Sequence, residues 1–407
     1  MKFSKLSQLF LVSIIGLMVA SLLTSCEIVT IDYLFVASSS GSGTASAGQI
    51  ETYDVDSESG AIRPGQPSVP SGGANPVAMA VSSDYANLYA ANQGNNSVDH
   101  FSVSGSGVLS NKDNITTASA PVALTVGPAN TYLYVISGTT SATLTAYSLS
   151  SGTIGSAVAT VPLSLSSVSA SFAGDTLIPT GVDVLANGTA VYVTAYDQSA
   201  YNPGGSVSST ANPGWVFGFA IGSGGTLTPI AGSPWKAGIK PSALVSDPTN
   251  RFVYVTDFAS NQLIGYTVQS NNVLDFMVNG PFKTGNQPAA VTIDPRGLYI
   301  YVVNELDSTV SAYIISLSTG TPSAAVNTTG SSLNATDTEP QAILVDPALG
   351  RFVYTANHLG NSVSGFMLNA TTGTLTGTLS APYPTGDAPT AVASVPHGNH
   401  STQSVTP

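Results

Sequence analysis

From about residue 31 onward, short runs of β-branched and aromatic residues alternate with clusters of Gly, Pro, Asn, Asp and Ser. That pattern predicts strands joined by tight turns. No stretch after residue 26 carries the apolar spacing of an amphipathic helix. The strand signals also recur in register. Six times a proline is followed 13 or 14 residues later by a tyrosine inside a β-branched run: Pro76/Tyr89, Pro121/Tyr134, Pro179/Tyr192, Pro241/Tyr254, Pro288/Tyr301 and Pro340/Tyr354.

Repeats of this length, built only of strand and turn signals, predict an all-β propeller. The marker prolines stand at 76, 121, 179, 241, 288, 340 and 389, so six units are complete. The seventh copy, APTAVASVP, stops after one strand. Its missing strands lie at the other end of the chain, where YLFVASS and GQIETYDVD resemble a second and a third strand. The expected fold is therefore seven four-stranded blades over residues 31–396, one C-terminal strand joining three N-terminal strands. Such closure removes two free sheet edges.

Within the sixth unit, Ala289 to Ile293 read as the innermost strand A and Leu298 to Val303 as strand B. Thr309 to Ile315 read as strand C, and Asp294-Pro295-Arg296-Gly297 as the A–B turn. The distance from the strand B tyrosine to the strand C aromatic is 12 residues in most units but 27 in the fourth, from Tyr192 to Phe219. That unit thus carries an insertion, AYDQSAYNPGGSVSSTANPGW, between strands B and C. The third carries another near its strand D.

Composition fits this reading. Only 8% of the 407 residues are charged and 43% are hydrophobic, as in a turn-rich β protein. The net charge of −12 and the lack of clustered Lys/Arg argue against nucleic acid as a partner. At the N-terminus, Lys2 and Lys5 precede an apolar stretch from Leu9 to Leu23, the pattern of a secretory leader. Leu23-Thr24-Ser25-Cys26 resembles the bacterial lipobox. It implies a signal peptide over 1–25, an acylated Cys26 that anchors the chain in a membrane, a tether over 26–30 and a location in the bacterial cell envelope. Glu27 after the cysteine favours the outer membrane. Cys26 is the only cysteine, so no intramolecular disulfide forms. Residues 397–407 read as a polar tail.

The motifs YVTDFASN, YVVNELDS, YTANHLGN and YVTAYDQS resemble the YVTN-type repeats. They are equally similar to the lactonase-type seven-bladed propellers, which include 6-phosphogluconolactonases and the carboxymuconate cyclase. That resemblance implies a ligand site at the mouth of the central channel and, in its enzymatic members, hydrolysis of a lactone. The stretches before strand A read GNQP, GIKP, TEPQ and GDAP, without the His and Arg that such enzymes carry there. Arg251, Arg296 and Arg351 fall instead in the A–B turns, on the opposite face, and read as structural.

Two functional expectations follow. The first is a lipid-anchored binding module for a glycan, peptide or protein partner. Its candidate contacts are Tyr196, Asp197, Tyr201 and Trp215 in the fourth-unit insertion, since aromatic faces with a few polar groups suit such ligands. Asp257, Asn304 and Glu305 at the B–C loops are added as candidates, the Asx residues doubling as turn formers. The alternative is a lactonase-like hydrolase, with Glu339 or Asp387 as general base and Lys240 and His358 as electrostatic or acid partners. His100 reads as structural and the regular Asp-Pro pairs as turn chemistry. Nothing in the pattern calls for a metal or cofactor.

Overall fold

Six of the seven marker prolines open an inner strand, because a residue without an N–H suits the start of a strand. In the computed structural model, which describes residues 29–39, 48–169, 172, 174–198 and 213–398, seven sheets form a ring. Strands A begin at Pro76, Pro121, Pro241, Pro288, Pro340 and Pro389; in blade 4 the strand starts at Leu177, with Pro179 inside it. A β-bulge follows the proline in these strands, for example between Pro288 and Ala290, and bends strand A at the channel mouth.

Blade 1 closes the ring as the repeat count predicts. Its strands A to D are Pro389–Pro396, Thr30–Ser38, Gln49–Asp56 and Ile62–Pro70, with Asp32 opposite Pro396 and Val36 opposite Val392. Blade 6 shows the common plan: Pro288–Ile293, Tyr299–Asn304 and Thr309–Ile315, then an outer strand in two short pieces, Pro322–Ala324 and Leu333–Ala335. Blades 4, 5 and 7 divide strand D in the same way, around a recurring turn with a cis proline at Pro234, Pro281 and Pro382.

Burial runs radially. Strands A line the channel and are half-buried, strands B are buried throughout in blades 5, 6 and 7, and strands D face solvent. The core therefore lies between blades. Phe252, Tyr254 and Leu263 of blade 5 pack on Ile300, Val302 and Tyr313 of blade 6.

The marker tyrosines tie these interfaces. All six are fully buried, and five donate the hydroxyl to a backbone carbonyl in the C–D turn of the next blade. The pairs are Tyr89 to Gly152 (2.7 Å), Tyr192 to Asn272 (2.7 Å), Tyr254 to Gly320 (2.5 Å), Tyr301 to Gly373 (2.9 Å) and Tyr354 to Gly60 (2.7 Å). Gly320 and Gly373 adopt φ of +74° and +70°, and a Cβ there would collide with the Phe252 and Tyr299 rings of the preceding blade.

The bottom face is built from the A–B turns. The Asp294 carboxylate accepts the amides of Leu298 and Tyr299 at 2.7 and 2.8 Å, and Asp247 and Asp346 do the same for their own turns. Arg251, Arg296 and Arg351 each reach a carbonyl of the next blade, at Leu317, Gly350 and Ser57. Both groups of residues are structural, as the sequence indicates. His397 is held rather than loose: its ring Nδ1 lies 3.0 Å from the Thr30 carbonyl oxygen. His100 is more tightly networked than its sequence neighbours suggest, because strand pairing places Asp113 beside Nδ1 at 2.8 Å and Asn87 beside Nε2 at 2.9 Å.

Tyr301→Phe should leave the buried Gly373 carbonyl without a donor and cost about 1–2 kcal/mol. Tyr134 makes no such bond among the described residues, so Tyr134→Phe should cost clearly less. Urea denaturation of the two variants measures the difference, and equal losses would refute the role given to the hydroxyl.

Candidate functional site

One backbone bond repeats around the top face. The amide of the residue that follows strand B donates to the carbonyl of a residue in the loop leading into strand A of the same blade. The pairs are Ser39/Ala388, Gln93/Asn75, Gly138/Ala120, Gln198/Thr176, Phe258/Lys240, Glu305/Gln287 and His358/Glu339, from blade 1 to blade 7. These fourteen positions form the rim of the channel. Most are small or carry amides. The charged groups and the single histidine gather on blades 5, 6 and 7, as Lys240, Glu305, Glu339 and His358.

Local sequence explains how these side chains are held. Asn75, Gln287, Glu339 and Ala388, each just before a marker proline, adopt positive φ between 51° and 55°. The B–C hairpin of the preceding blade caps that conformation: Asn261 Oδ1 accepts the Gln287 amide at 2.8 Å, and Ser308 Oγ accepts the Glu339 amide at 3.3 Å. Beneath the rim lie the Asx residues that end strands B. Asp257 accepts the amides of Ile239 and Lys240, both at 2.9 Å, and Asn304 donates to Thr309 and Ser311.

Electrostatics link the cluster. Burial, and then the charge of Glu339, push the Glu305 carboxyl up, while Lys240 and His358 oppose that rise. Burial pushes the Lys240 ammonium down, and Glu305 counters it. The Lys240 Nζ lies 4.2 Å from the centre of the Phe258 ring, a cation–π contact. His358 Nδ1 is buried and has no hydrogen-bond partner among the described residues. The arrangement thus sets a carboxylate of raised basicity beside an ammonium and an imidazole at the mouth of a channel, a combination suited to acid–base chemistry.

Several sequence candidates need correction. Asp257 and Asn304 are fully buried and hold the rim from beneath, Asp257 through the amides of the loop into strand A and Asn304 across its own B–C hairpin. Glu305, grouped with them, belongs to the titrating cluster instead. Asp387 is exposed and stands one residue before the rim position, which is Ala388, and it is not among the groups whose charge moves Glu305. In the blade 4 insertion, Trp215 is only 4% exposed, with Lys236 Nζ 3.6 Å from its ring centre and Phe172 packed edge-on, so it offers no open aromatic face. Asp197 is buried and Tyr196 half-buried, and Tyr201 lies outside the described residues, as does Cys26. Among the described residues no group of three or more His, Cys, Asp or Glu is placed to hold a metal.

The role of Phe258 beneath Lys240 and the joining of Glu305 with Glu339 were not read from sequence. The signal was present: these are the residues beside the strand B Asx or the marker proline, and pairing them requires the blade closure.

A family model described as the lactonase seven-bladed β-propeller matches residues 46–169 and 236–400, well over half of the 407. The chain belongs to this lactonase family. No curated protein matched the sequence. Among solved structures, the periplasmic gluconolactonase of Pseudomonas aeruginosa superposes with a TM-score of 0.72 at 17% identity, over 91% of this chain and 100% of that one. A candidate 6-phosphogluconolactonase from Bacteroides fragilis gives 0.69 at 17% identity, over 91% and 99%. A protein from Lactobacillus plantarum gives 0.70 at 14%, over 90% and 99%. At these identities the lactonase-family likeness to solved structures establishes the fold. The match also leaves out residues 170–235, which hold the blade 4 insertion.

The Glu305 carboxyl should titrate above an ordinary glutamate, move to lower pH in Glu339→Gln and to higher pH in Lys240→Met. Carboxyl-carbon NMR titrations check this. A raised folded-state value also means that Glu305 favours the fold below the ordinary glutamate range, a contribution lost as pH rises through the raised value. Glu305→Gln should therefore gain in melting temperature over the parent as pH rises. Identical titrations in all three proteins would show that the cluster is not coupled.

Proposed function

We propose that this protein hydrolyses a lactone at the rim of blades 5 to 7. The observation that carries the reading is the gathering of Lys240, Glu305, Glu339 and His358 on three consecutive blades, with the charges of the other three acting on Glu305. Membership of the lactonase family supports it, as do structural neighbours described as a gluconolactonase and a candidate 6-phosphogluconolactonase.

In the proposed reaction, Glu305 takes a proton from water as its oxygen attacks the ring carbonyl carbon. The oxyanion forms near the Lys240 ammonium, which stabilises it. The carbonyl re-forms as the ring C–O bond breaks, and His358, as general acid, supplies the proton that the departing alkoxide requires. The product is the open hydroxy acid. Glu339 keeps Glu305 basic by like-charge repulsion, a positioning role distinct from the one expected of it as base.

We also infer an extracytoplasmic, lipid-anchored location. The leader pattern over 1–25 and the lipobox-like Leu23-Thr24-Ser25-Cys26 support it, and so does the periplasmic assignment of the Pseudomonas aeruginosa neighbour. No helix among the described residues is long and apolar enough to cross a membrane.

In a pH-stat assay over a panel of lactones, Glu305→Gln should lower kcat by about 100-fold or more, and Lys240→Met by a similar factor. Glu339→Gln should move the acidic limb of kcat/KM to lower pH, because Glu305 then loses its proton more readily. An inert wild-type protein, or full turnover in Glu305→Gln, would overturn the assignment. For the anchor, a fatty-acid probe should label the wild-type chain but not Cys26→Ser. Label retained by the serine variant would place the lipid elsewhere.

A further inference from the structure

We infer that the rim selects an uncharged lactone bearing an apolar substituent, and that Leu306 and Leu359 hold that substituent. The inference rests on the lactone reading above and narrows it to a substrate class.

Charge makes the first half of the argument. On the top side of blades 5 to 7, Lys240 and the exposed Lys283, beside the B–C hairpin of blade 5, stand with four carboxylates, Glu305, Asp307, Asp337 and Glu339, and a fifth, Asp387, lies on the loop into blade 1. Asp307 accepts the Asn286 amide at 2.7 Å, and Asp337 accepts the Ser362 hydroxyl at 2.9 Å, so both stand fixed at the surface. Phosphate or carboxylate groups are bound through cationic forks, and arginine is the usual one. Arg251, Arg296 and Arg351 are committed to carbonyls on the opposite face. Arg63 lies beside Asp54 on the outer strands of blade 1. A substrate with a second negative group would approach a field in which carboxylates outnumber ammoniums, and the rim ammonium, Lys240, is already set against Phe258 and Glu305.

The second half comes from the hairpin tips. Leu306 directly follows Glu305, and Leu359 directly follows His358, and they are 63% and 60% exposed. The matching positions in blades 2 and 5 are Gly94 and Ala259. Leucine therefore appears at this position beside the chemical groups, on adjacent blades, where nothing in the core requires it. The backbone there is held: the Glu305 amide donates to Gln287 and the Gly360 amide to Thr338. Two exposed leucines on fixed hairpins beside an ionic cluster form a surface that an alkyl or aryl group can cover.

A series of γ-lactones with alkyl chains from methyl to hexyl, together with chains ending in carboxylate or phosphate, tests the proposal on the full-length protein. For the wild type, kcat/KM should climb with chain length, by up to about fourfold per methylene fully buried. The hexyl-to-methyl ratio should collapse in Leu306→Ser/Leu359→Ser. Because the readout is a ratio within one protein, a general loss of activity cancels. The anionic members should run at least about tenfold slower than neutral ones of equal length, with the gap closing as salt is added. Preference for the anionic members, or an unchanged ratio in the double variant, overturns this inference while leaving lactone hydrolysis in place. Failure of every lactone to react removes the hydrolysis reading, and this inference with it.

Discussion

The buried tyrosine hydroxyl that crosses from one blade to the next is the contact on which the ring depends. A four-stranded sheet with two apolar faces has no reason to stop associating until its faces are covered, and hydrophobic burial alone fixes neither register nor angle. The hydroxyl adds direction. Tyr254 and Tyr301 bind carbonyls in turns 66 and 72 residues further on, and Tyr354 reaches back across the ring closure to Gly60. Each such bond requires that the next C–D turn approach the strand B aromatic closely, which glycine at positive φ, or Asn272 in blade 5, allows. Together with the Asp-capped A–B turns and the bridging arginines, this fixes the bottom half of the disc. The top loops are then at liberty to differ from blade to blade.

That division explains what could be read from the sequence. The prolines, tyrosines and Asp-Pro turns recur because every blade has the same packing problem, and a recurring solution is visible as a period. The closure of blade 1 was legible for the same reason, since Phe35 stands where other blades carry tyrosine and Ser38 where they carry Asn, Asp or, in blade 3, Ser137. The site was legible only in part. Lys240, Glu339 and His358 could be placed on the top face by counting from the marker proline, but their proximity depends on neighbouring blades and not on neighbouring residues. Trp215 was misread because an aromatic at the edge of an insertion looks exposed in sequence, whereas strand C carries it into the cluster with Phe217 and Phe219. Asp257 and Asn304 were misread for a related reason. A polar residue beside a loop suggests solvent, yet here it satisfies amides and hydroxyls under the loop.

The rim also shows how such a fold can carry chemistry without surrendering stability. Its reactive side chains sit on backbone that is already bonded, blade by blade, through the amide after strand B and the carbonyl before strand A. Replacing Glu305 or His358 changes charge at the mouth and leaves that ladder intact. The same loops on blades 1 to 3 carry Ser39, Ala388, Gln93, Asn75, Gly138 and Ala120, which are neutral. Ionisable groups on half the ring and neutral ones on the other half give the mouth a polarity across its width, so a ligand lying over the channel would meet two chemically distinct sides.

The seam between blades 7 and 1 departs furthest from the repeat, next to the blade in which the N- and C-terminal strands pair. Asp32 is fully buried there, and neither of its oxygens meets a protein donor; the carboxylate of Asp346 is the charge that acts on it. Burial, and then the Asp346 charge, hold the Asp32 carboxyl well above the usual aspartate range. In blades 5 and 6 the turn aspartates Asp247 and Asp294 have no acidic counterpart in the next strand B. An apolar residue at position 32 would cover the same space without the cost of burying a carboxyl. What the acid adds is dependence on its proton: the pair is comfortable with one negative charge and not with two. The closing seam thus carries an acid whose proton matters, on the face opposite the rim.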